Sequence, residues 1–367
     1  MNAVNEIGFG FLRLPQKEDK TIDYERLDPM VDRFMELGGR YFDTAYTYLD
    51  GLSEEAVRRS LVERHERGSF VLSDKLPGYK FKSYDECRNC FEEQLSRCGV
   101  DYFDIYLLHG LNEENYRIAE EYEQFRLLRE LKAEGKVGAI GFSYHDTPQL
   151  LDKILTEHPE VEVVLLQINY LDWRSKAIQS AECYDVAVKH AKRIMVMEPV
   201  KGGTLAKLPE KAEEILRALR PEDSMARWAV RFAAGLENVE VMFSGMSDME
   251  QAEDNMRPLE PISEGEREAL ERCARIIRKN TAVACTGCGY CVGGCPRDIP
   301  IPEYFALYNE YRRNPAEDWK IQPAYDVLAK KFKKATECIA CRTCDDLCPQ
   351  RLSVAQYIAE AAAVFDR

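Results

Sequence analysis

Between residues 7 and 255 the sequence alternates eight short apolar stretches with longer amphipathic ones, and this alternation limits the fold more than any other feature. The apolar stretches run over 7–12, the segment carrying Asp43, 70–75, 103–109, 137–143, 161–170, 194–199 and 239–244. Helical patterns fall between them at 21–37, from 53, at 83–98, 120–134, from 146, at 180–192, 224–234 and 248–255. In the first helix Leu27, Met30, Val31, Phe34 and Leu37 share one face, and Gly38-Gly39 ends it. Strands that are apolar nearly throughout belong to parallel sheets covered on both faces. Eight of them predict an α/β fold, a (β/α)8 TIM barrel. An open doubly wound sheet needs a Gly-x-Gly-x-x-Gly turn after the first strand. Gly8-x-Gly10 is followed by Phe11-Leu12-Arg13 and does not supply it.

Chemistry in such a barrel sits where strands run out into loops. Asp43 ends the second strand, and Tyr48 follows it with four residues between. The third strand ends in Lys75 and the fourth in His109. A free phenol titrates near ~10, and a lysine cation beside it is expected to lower that value. A carboxylate holds the lysine charged, and a neutral histidine directs a carbonyl oxygen. Together these groups protonate a carbonyl oxygen as hydride reaches its carbon. Tyr48 is therefore read as the acid, Lys75 as its modifier, Asp43 as the partner of the lysine and His109 as the substrate orienter. Each alone fits a structural role: a cap, a loop contact, a solvated strand end, a core histidine. Their arrival at successive strand ends points to catalysis.

The chain has 367 residues, and a barrel takes about 250, so a second module is expected. Arg257-Pro-Leu-Glu-Pro261 breaks the pattern and a charged helix covers 263–279. The reading is a barrel over 1–260, a linker helix over 261–281 and a second domain over 282–367. Eight of the thirteen cysteines form two runs there, Cys285-x2-Cys288-x2-Cys291-x3-Cys295-Pro and Cys338-x2-Cys341-x2-Cys344-x3-Cys348-Pro. This is the bacterial 4Fe–4S pattern, in which the fourth cysteine serves the neighbouring cluster when two are present. Cys285, Cys288, Cys291 and Cys348 are assigned to one cluster, and Cys338, Cys341, Cys344 and Cys295 to the other. Zinc prefers two separated Cys-x2-Cys knuckles and fits this spacing poorly. Helical stretches at 301–313, 324–334 and 354–365 predict a small α-helical ferredoxin-like domain. Cys87, Cys90, Cys98, Cys183 and Cys273 read as core packing.

The order Asp-x4-Tyr, strand-end Lys, strand-end His resembles the tetrad of the aldo-keto reductases over roughly 7–259. The whole chain resembles the subgroup that carries a C-terminal domain with two 4Fe–4S clusters. The resemblance implies that NAD or NADP lies across the barrel mouth. It places Ser143 and Gln167 at the carboxamide. Pro199, Gly202, Gly203 and Leu205 fall in the phosphate-side loop, and Ser244, Met246, Gln251 and Asn255 on the adenosine side. Some positions depart from the family pattern. Tyr144 follows Ser143 where most members carry Asn. Met197 stands where many carry a Tyr that stacks on nicotinamide. The turn Met246-Ser-Asp-Met249 has no cation for a 2′-phosphate, which leaves NAD and NADP both open.

A net charge of −14 and a pI near 5.1 argue against nucleic acid or an acidic membrane as partner. No apolar run approaches the ~20 residues of a membrane span, and residues 1–6 show no signal peptide. A cytoplasmic oxidoreductase is expected, acting on a small-molecule carbonyl or alcohol with NAD(P)H, its clusters passing electrons. Hydride carries two electrons and these clusters one each, so a flavin or a redox partner protein is an option for splitting the pair. Lys330-Lys-Phe-Lys-Lys334 fits a dock for an acidic partner or a solvated helix face. The alternative function is an electron-transfer subunit, or a single-electron substrate reductase, whose barrel binds nicotinamide weakly or not at all. Trp173, Tyr144, Tyr46 and Tyr79 fit an aromatic wall at the mouth and, equally, the packing of loops.

Overall fold

The computed structural model describes residues 6–176, 178–313 and 318–366; the reading of the extreme N-terminus lies outside them. The order opens β1 (Glu6–Gly10), α1 (Tyr24–Glu36), β2 (Tyr41–Asp43), α2 (Leu52–Val57), β3 (Val71–Leu76), α3 (Tyr84–Cys98), β4 (Phe103–Leu111), α4 (Glu113–Glu121), α5 (Gln124–Ala133) and β5 (Val137–Tyr144). It continues with α6 (Pro148–Glu157), β6 (Val163–Gln167), α7 (Ser180–Lys189), β7 (Arg193–Met197), α8 (Glu210–Leu219), α9 (Met225–Ala234), β8 (Val239–Gly245) and α10 (Met249–Asn255). The C-terminal part holds α11 (Glu264–Lys279), α12 (Tyr290–Gly293), α13 (Ile301–Arg313), α14 (Asp318–Lys331), α15 (Thr343–Asp346) and α16 (Val354–Phe365).

The eight strands form one closed parallel barrel in sequence order, β1 pairing with both β2 and β8. Its interior is filled by Ile105, Leu107, Val163, Leu165, Met195, Val241 and Phe243. Gly8 faces Phe243 across the closing pair, and a Cβ there would lie 2.3 Å from that ring. Glycine at this position therefore makes room for the phenylalanine. Outside the barrel, Phe9, Phe11, Phe34 and Phe42 interlock with ring centroids 5.3–6.2 Å apart and seat α1 on the first strands.

Two of the differences from the expected elements have local causes. The helix expected over 120–134 is two helices, because Glu123 takes a left-handed φ of 54° between them. The first, α4, starts at Asn112, whose side chain accepts from the Asn115 amide at 2.8 Å. The helix expected over 324–334 starts earlier, at Asp318. No helix among the described residues is long and apolar enough to cross a membrane.

The chain divides into two compact units. The first contains Met1–Ser175, Gln179–Val200 and Arg227–Ile262. The second contains Lys201–Ala226 and Ser263–Arg367 with the short piece Lys176–Ile178. The second unit thus takes α8 as well as everything after the proline-rich break. Within it α11 begins with a capping box, Ser263 and Glu266 bonding each other's backbone amides, and packs against α8. Cys273 on α11 is fully buried and donates to Ala212 O on α8 at 3.5 Å. A separate core of Ile299, Tyr304, Phe305, Ile321, Tyr325, Val354, Ile358 and Phe365 joins α13, α14 and α16.

Candidate active site and cluster cavities

Asp43 is the last residue of β2, and the chain turns at once into a short 3-10 segment that starts at Tyr48. Leu49 and Asp50 in that segment take left-handed φ values of 52° and 55°, a costly conformation for side chains other than glycine. Lys75 and His109 come from β3 and β4. All four meet at the carboxyl ends of the strands. Lys75 Nζ donates to Asp43 Oδ2 at 2.6 Å and to the Thr44 carbonyl at 2.7 Å, with the lysine fully buried. The same nitrogen lies 4.7 Å from the Tyr48 ring centroid. The His109 ring meets Tyr48 edge-on at 5.8 Å, and Tyr79 lies 6.4 Å from the histidine. Tyr48 is half-buried and opens to the mouth.

The electrostatics follow from burial. His109 is held well below the usual imidazole range, first by burial and then by the Lys75 cation, so it is neutral. Its Nδ1 is buried without a hydrogen-bond partner. The expected lowering of the Tyr48 phenol by Lys75 does not occur here. Burial, and after it the Asp43 carboxylate, push the hydroxyl well above its ordinary value. The lysine charge is committed to Asp43 and Thr44, and it faces the ring. A phenol held up in this way stays protonated at neutral pH, the state a proton donor must start from.

Beneath the quartet lies a buried polar network. Lys75 N donates to Asp74 Oδ1 at 2.7 Å, and Gln94 Nε2 on α3 donates to Lys75 O at 3.1 Å and to Glu54 Oε1 at 2.9 Å. Tyr106 OH donates to Gln94 Oε1 at 2.5 Å, and Arg97 reaches Glu54 at 3.2 Å. Glu54 and Asp74 are both fully buried. Burial raises both carboxyls, and the neighbouring Glu54 charge pushes Asp74 further up. Two carboxyls so placed cannot both ionise at modest cost. A carboxyl raised above its ordinary 3.8 keeps a proton in the native state that the unfolded chain gives up, so it costs stability as pH rises from that value. Asp74→Asn mimics the protonated acid and lets Glu54 ionise against Arg97. The variant is expected to gain thermal stability over the native chain at pH 7, and to gain less at pH 4. Equal gains at both pH values would remove Asp74 as the titrating group.

The residues expected to hold a nicotinamide dinucleotide fall in three places. Ser143 on β5 accepts from the Gly110 amide at 2.7 Å and so steadies the strand end that carries His109. Gln167 ends β6 and donates to Asp172 Oδ2 at 2.9 Å. Pro199 follows β7 and is buried. Ser244 Oγ accepts from Asn255 Nδ2 at 3.2 Å, Gln251 is tied to Asp248 and Ser247, and Met246 is fully buried, all around the β8–α10 turn. Gly202, Gly203 and Leu205 group with the second unit. There Lys201 is 2% exposed and its Nζ donates to Gln350 Oε1 at 2.8 Å. Of the aromatic candidates, Tyr79 stands by His109. Tyr144 is buried and bonds Thr147 O, Trp173 packs on Tyr184 and Phe232, and Tyr46 packs on Phe81 and Arg97.

Two cavities in the second unit are lined by the cysteine runs. One is lined by Cys285, Cys288 and Cys291 with Cys348 from the other run. The second is lined by Cys338, Cys341 and Cys344 with Cys295. Among the described residues no three Cys, His, Asp or Glu side chains converge closely enough for a single ion. The four sulfurs that line each cavity are the ligand set of a cubane cluster. Burial, then Cys288 and Cys285, push the Cys291 thiol up, so gathering the thiolates calls for a cationic core.

A family model described as the aldo/keto reductase family matches residues 6–275, and one described as a 4Fe-4S dicluster domain matches 284–353. The uncharacterized oxidoreductase YqkF of Bacillus subtilis (strain 168) is 24% identical over 284 residues, 69% of this chain and 87% of its own. The aldo-keto reductase AKR11C1 from Bacillus halodurans, in its holo form, superposes with a TM-score of 0.58 at 25% identity, covering 73% of this chain and 91% of that one. An aldo/keto reductase from Klebsiella pneumoniae, solved in complex with NADP and acetate, shares the fold at a TM-score of 0.60 and 20% identity, over 74% of this chain and 95% of its own.

Proposed function

The chain belongs to the aldo/keto reductase family, and from that premise we propose that its barrel interconverts a small carbonyl compound and its alcohol with NADPH or NADH. The observation that carries this reading is the meeting of Tyr48, Lys75, Asp43 and His109 at one end of the barrel. Neutral His109 orients the carbonyl oxygen by a hydrogen bond. Tyr48 gives that oxygen its proton. Lys75, held by Asp43 and Thr44 O, stabilises the phenolate left behind, and the shared seat of Lys75 and Asp43 keeps water from quenching the charge. The nicotinamide, when bound, supplies the hydrogen and electron pair added to carbon. Ser143 and Gln167 are assigned to its carboxamide, and Ser244, Gln251 and Asn255 to its adenosine end.

The 4Fe–4S dicluster domain supplies single-electron transfer when its clusters are bound. In this reading the protein works in the reducing cytoplasm, where eight cluster thiolates escape disulfide formation. One observation favours the second reading, an electron-transfer subunit with a weak nicotinamide site. The Lys201 ammonium, in the loop the family uses for phosphate, is committed to Gln350. Anaerobic assay of the iron-reconstituted chain separates the two. Carbonyl-dependent oxidation of NADPH or NADH is expected. Cluster reduction with no carbonyl turnover across aldehydes, ketones and keto acids would replace the first reading with the second.

A further inference from the structure

The two cluster cavities differ in the surface beside them. The lining of the cavity of Cys285, Cys288, Cys291 and Cys348 includes buried Thr286, Phe305, Gln350 and Val354. The other cavity reaches the surface at Cys341, which is exposed. Large apolar side chains stand in solvent around it: Ile339 at 60%, Leu347 at 41% and Val292 at 38%. Ile339 lines the cavity itself, and a Cβ on Gly294, another lining residue, would lie 2.2 Å from Leu347 Cδ1. Val292 sits on α12, which packs against α15 just before Leu347. An exposed apolar rim beside an electron-transfer centre marks an interaction surface.

Charge indicates what covers it. Between residues 330 and 342 the chain carries Lys330, Lys331, Lys333, Lys334 and Arg342 against the single acid Glu337. The chain as a whole has a net charge of −14. Arg297 and Arg342 both line the cavity of Cys341. Glu337 lies 3.4 Å from Arg297 and 3.7 Å from Lys333, so one carboxylate serves two cations. Asp298 and Asp346 offset part of this charge, whereas Asp345 is turned inward onto the Ala355 amide at 2.8 Å. The result is a basic border around an apolar centre on an otherwise acidic protein.

We propose that an acidic one-electron carrier protein docks here, seating apolar surface on Ile339, Leu347 and Val292 and its carboxylates on Arg342, Arg297 and Lys333. The cluster held by Cys338, Cys341, Cys344 and Cys295 is then the port for electrons, and the cluster of the other cavity is the second station. One electron leaves the reduced carrier, which is oxidised by one unit, and enters the port cluster, which is reduced by one. No atom is transferred. The proposal rests on the reading that both cavities hold 4Fe–4S clusters.

The test uses the reconstituted full chain under argon, with a reduced, acidic plant-type 2Fe–2S ferredoxin as the probe. Native protein is expected to be reduced with a second-order rate constant that falls steeply with added salt. The double variant Ile339→Glu/Arg342→Glu is expected to react at least about tenfold more slowly at low salt, with a flattened salt dependence. Carbodiimide cross-links to the ferredoxin are expected at Lys330–Lys334 in the native chain. Dithionite reduction and the resulting EPR spectrum are expected to match in both proteins, which reads cluster content independently of docking. Equal ferredoxin rates in native and variant, or cross-links confined to other lysines, would overturn the port. An EPR spectrum lacking 4Fe–4S signals would instead overturn the cluster reading on which it rests.

Discussion

Tyr48→Phe is expected to lower kcat for carbonyl reduction by about 10²–10⁴-fold, the usual contribution of a positioned proton donor. The substitution removes one hydroxyl and keeps the ring. The ring packs 4.7 Å from Lys75 Nζ and 5.8 Å from His109, and those contacts survive, so stability should change by no more than roughly 0.5 kcal/mol. Nicotinamide affinity, read by fluorescence titration, should also hold. Lys75→Met tests a different link. It strips Asp43 of its cation in a fully buried site, where removing one partner of an ion pair costs roughly 3–5 kcal/mol. That variant should lose both turnover and thermal stability. If Tyr48→Phe keeps more than about a tenth of native turnover, the proton reaches the carbonyl oxygen by another route and Tyr48 is only part of the wall.

The quartet was readable because barrel geometry converts sequence order into position. A residue at the end of a parallel strand arrives at the same rim whichever strand carries it, so Asp43, Lys75 and His109 declare themselves once the strands are recognised. The effect of Lys75 on the phenol was not readable. It depends on the direction of one ammonium group, which points at Asp43 and Thr44 O and presents itself to the ring. Glu54 was hidden for a similar reason. In the sequence it is an acidic residue in the first turn of a helix, the usual place for a solvated charge. In the fold it is fully buried, bonded to Gln94 and Arg97, beside an Asp74 that the sequence places next to Lys75 without comment. α4 and α8 escaped because their starts resemble loops. The grouping of Lys201–Ala226 with the C-terminal unit escaped because no breaker marks it, in contrast to the prolines before Ile262. The cysteine runs were legible as a 4Fe–4S dicluster domain, since ligand spacing is itself the chemistry.

Double variants at the cluster cysteines are expected to give the largest change in composition, in a pattern that depends on the crossing of Cys295 and Cys348. Cys348 lines the cavity of Cys285, Cys288 and Cys291 although it belongs to the other run, and Cys295 lines the cavity of Cys338, Cys341 and Cys344. A serine hydroxyl is a poor ligand for the soft iron–sulfur core, so Cys348→Ser alone should cost about half the bound iron if each cluster needs all four thiolates. Adding Cys288→Ser should remove little more, because both changes fall on one cluster. Adding Cys341→Ser should remove nearly all of it. Thermal unfolding should follow the iron, since Cys291 and Cys344 are part of the core that joins α13, α14 and α16, and in small metal-bearing units the energy of metal binding is folding energy. Iron analysis with EPR of the dithionite-reduced proteins distinguishes the patterns. If Cys348→Ser/Cys341→Ser keeps half the iron while Cys348→Ser/Cys288→Ser loses all of it, each run serves its own cluster and the crossed assignment fails. A crossed arrangement ties the two loops into one cooperative unit, so loss of either cluster should also loosen the site of the other, visible as a lower melting temperature for the retained cluster.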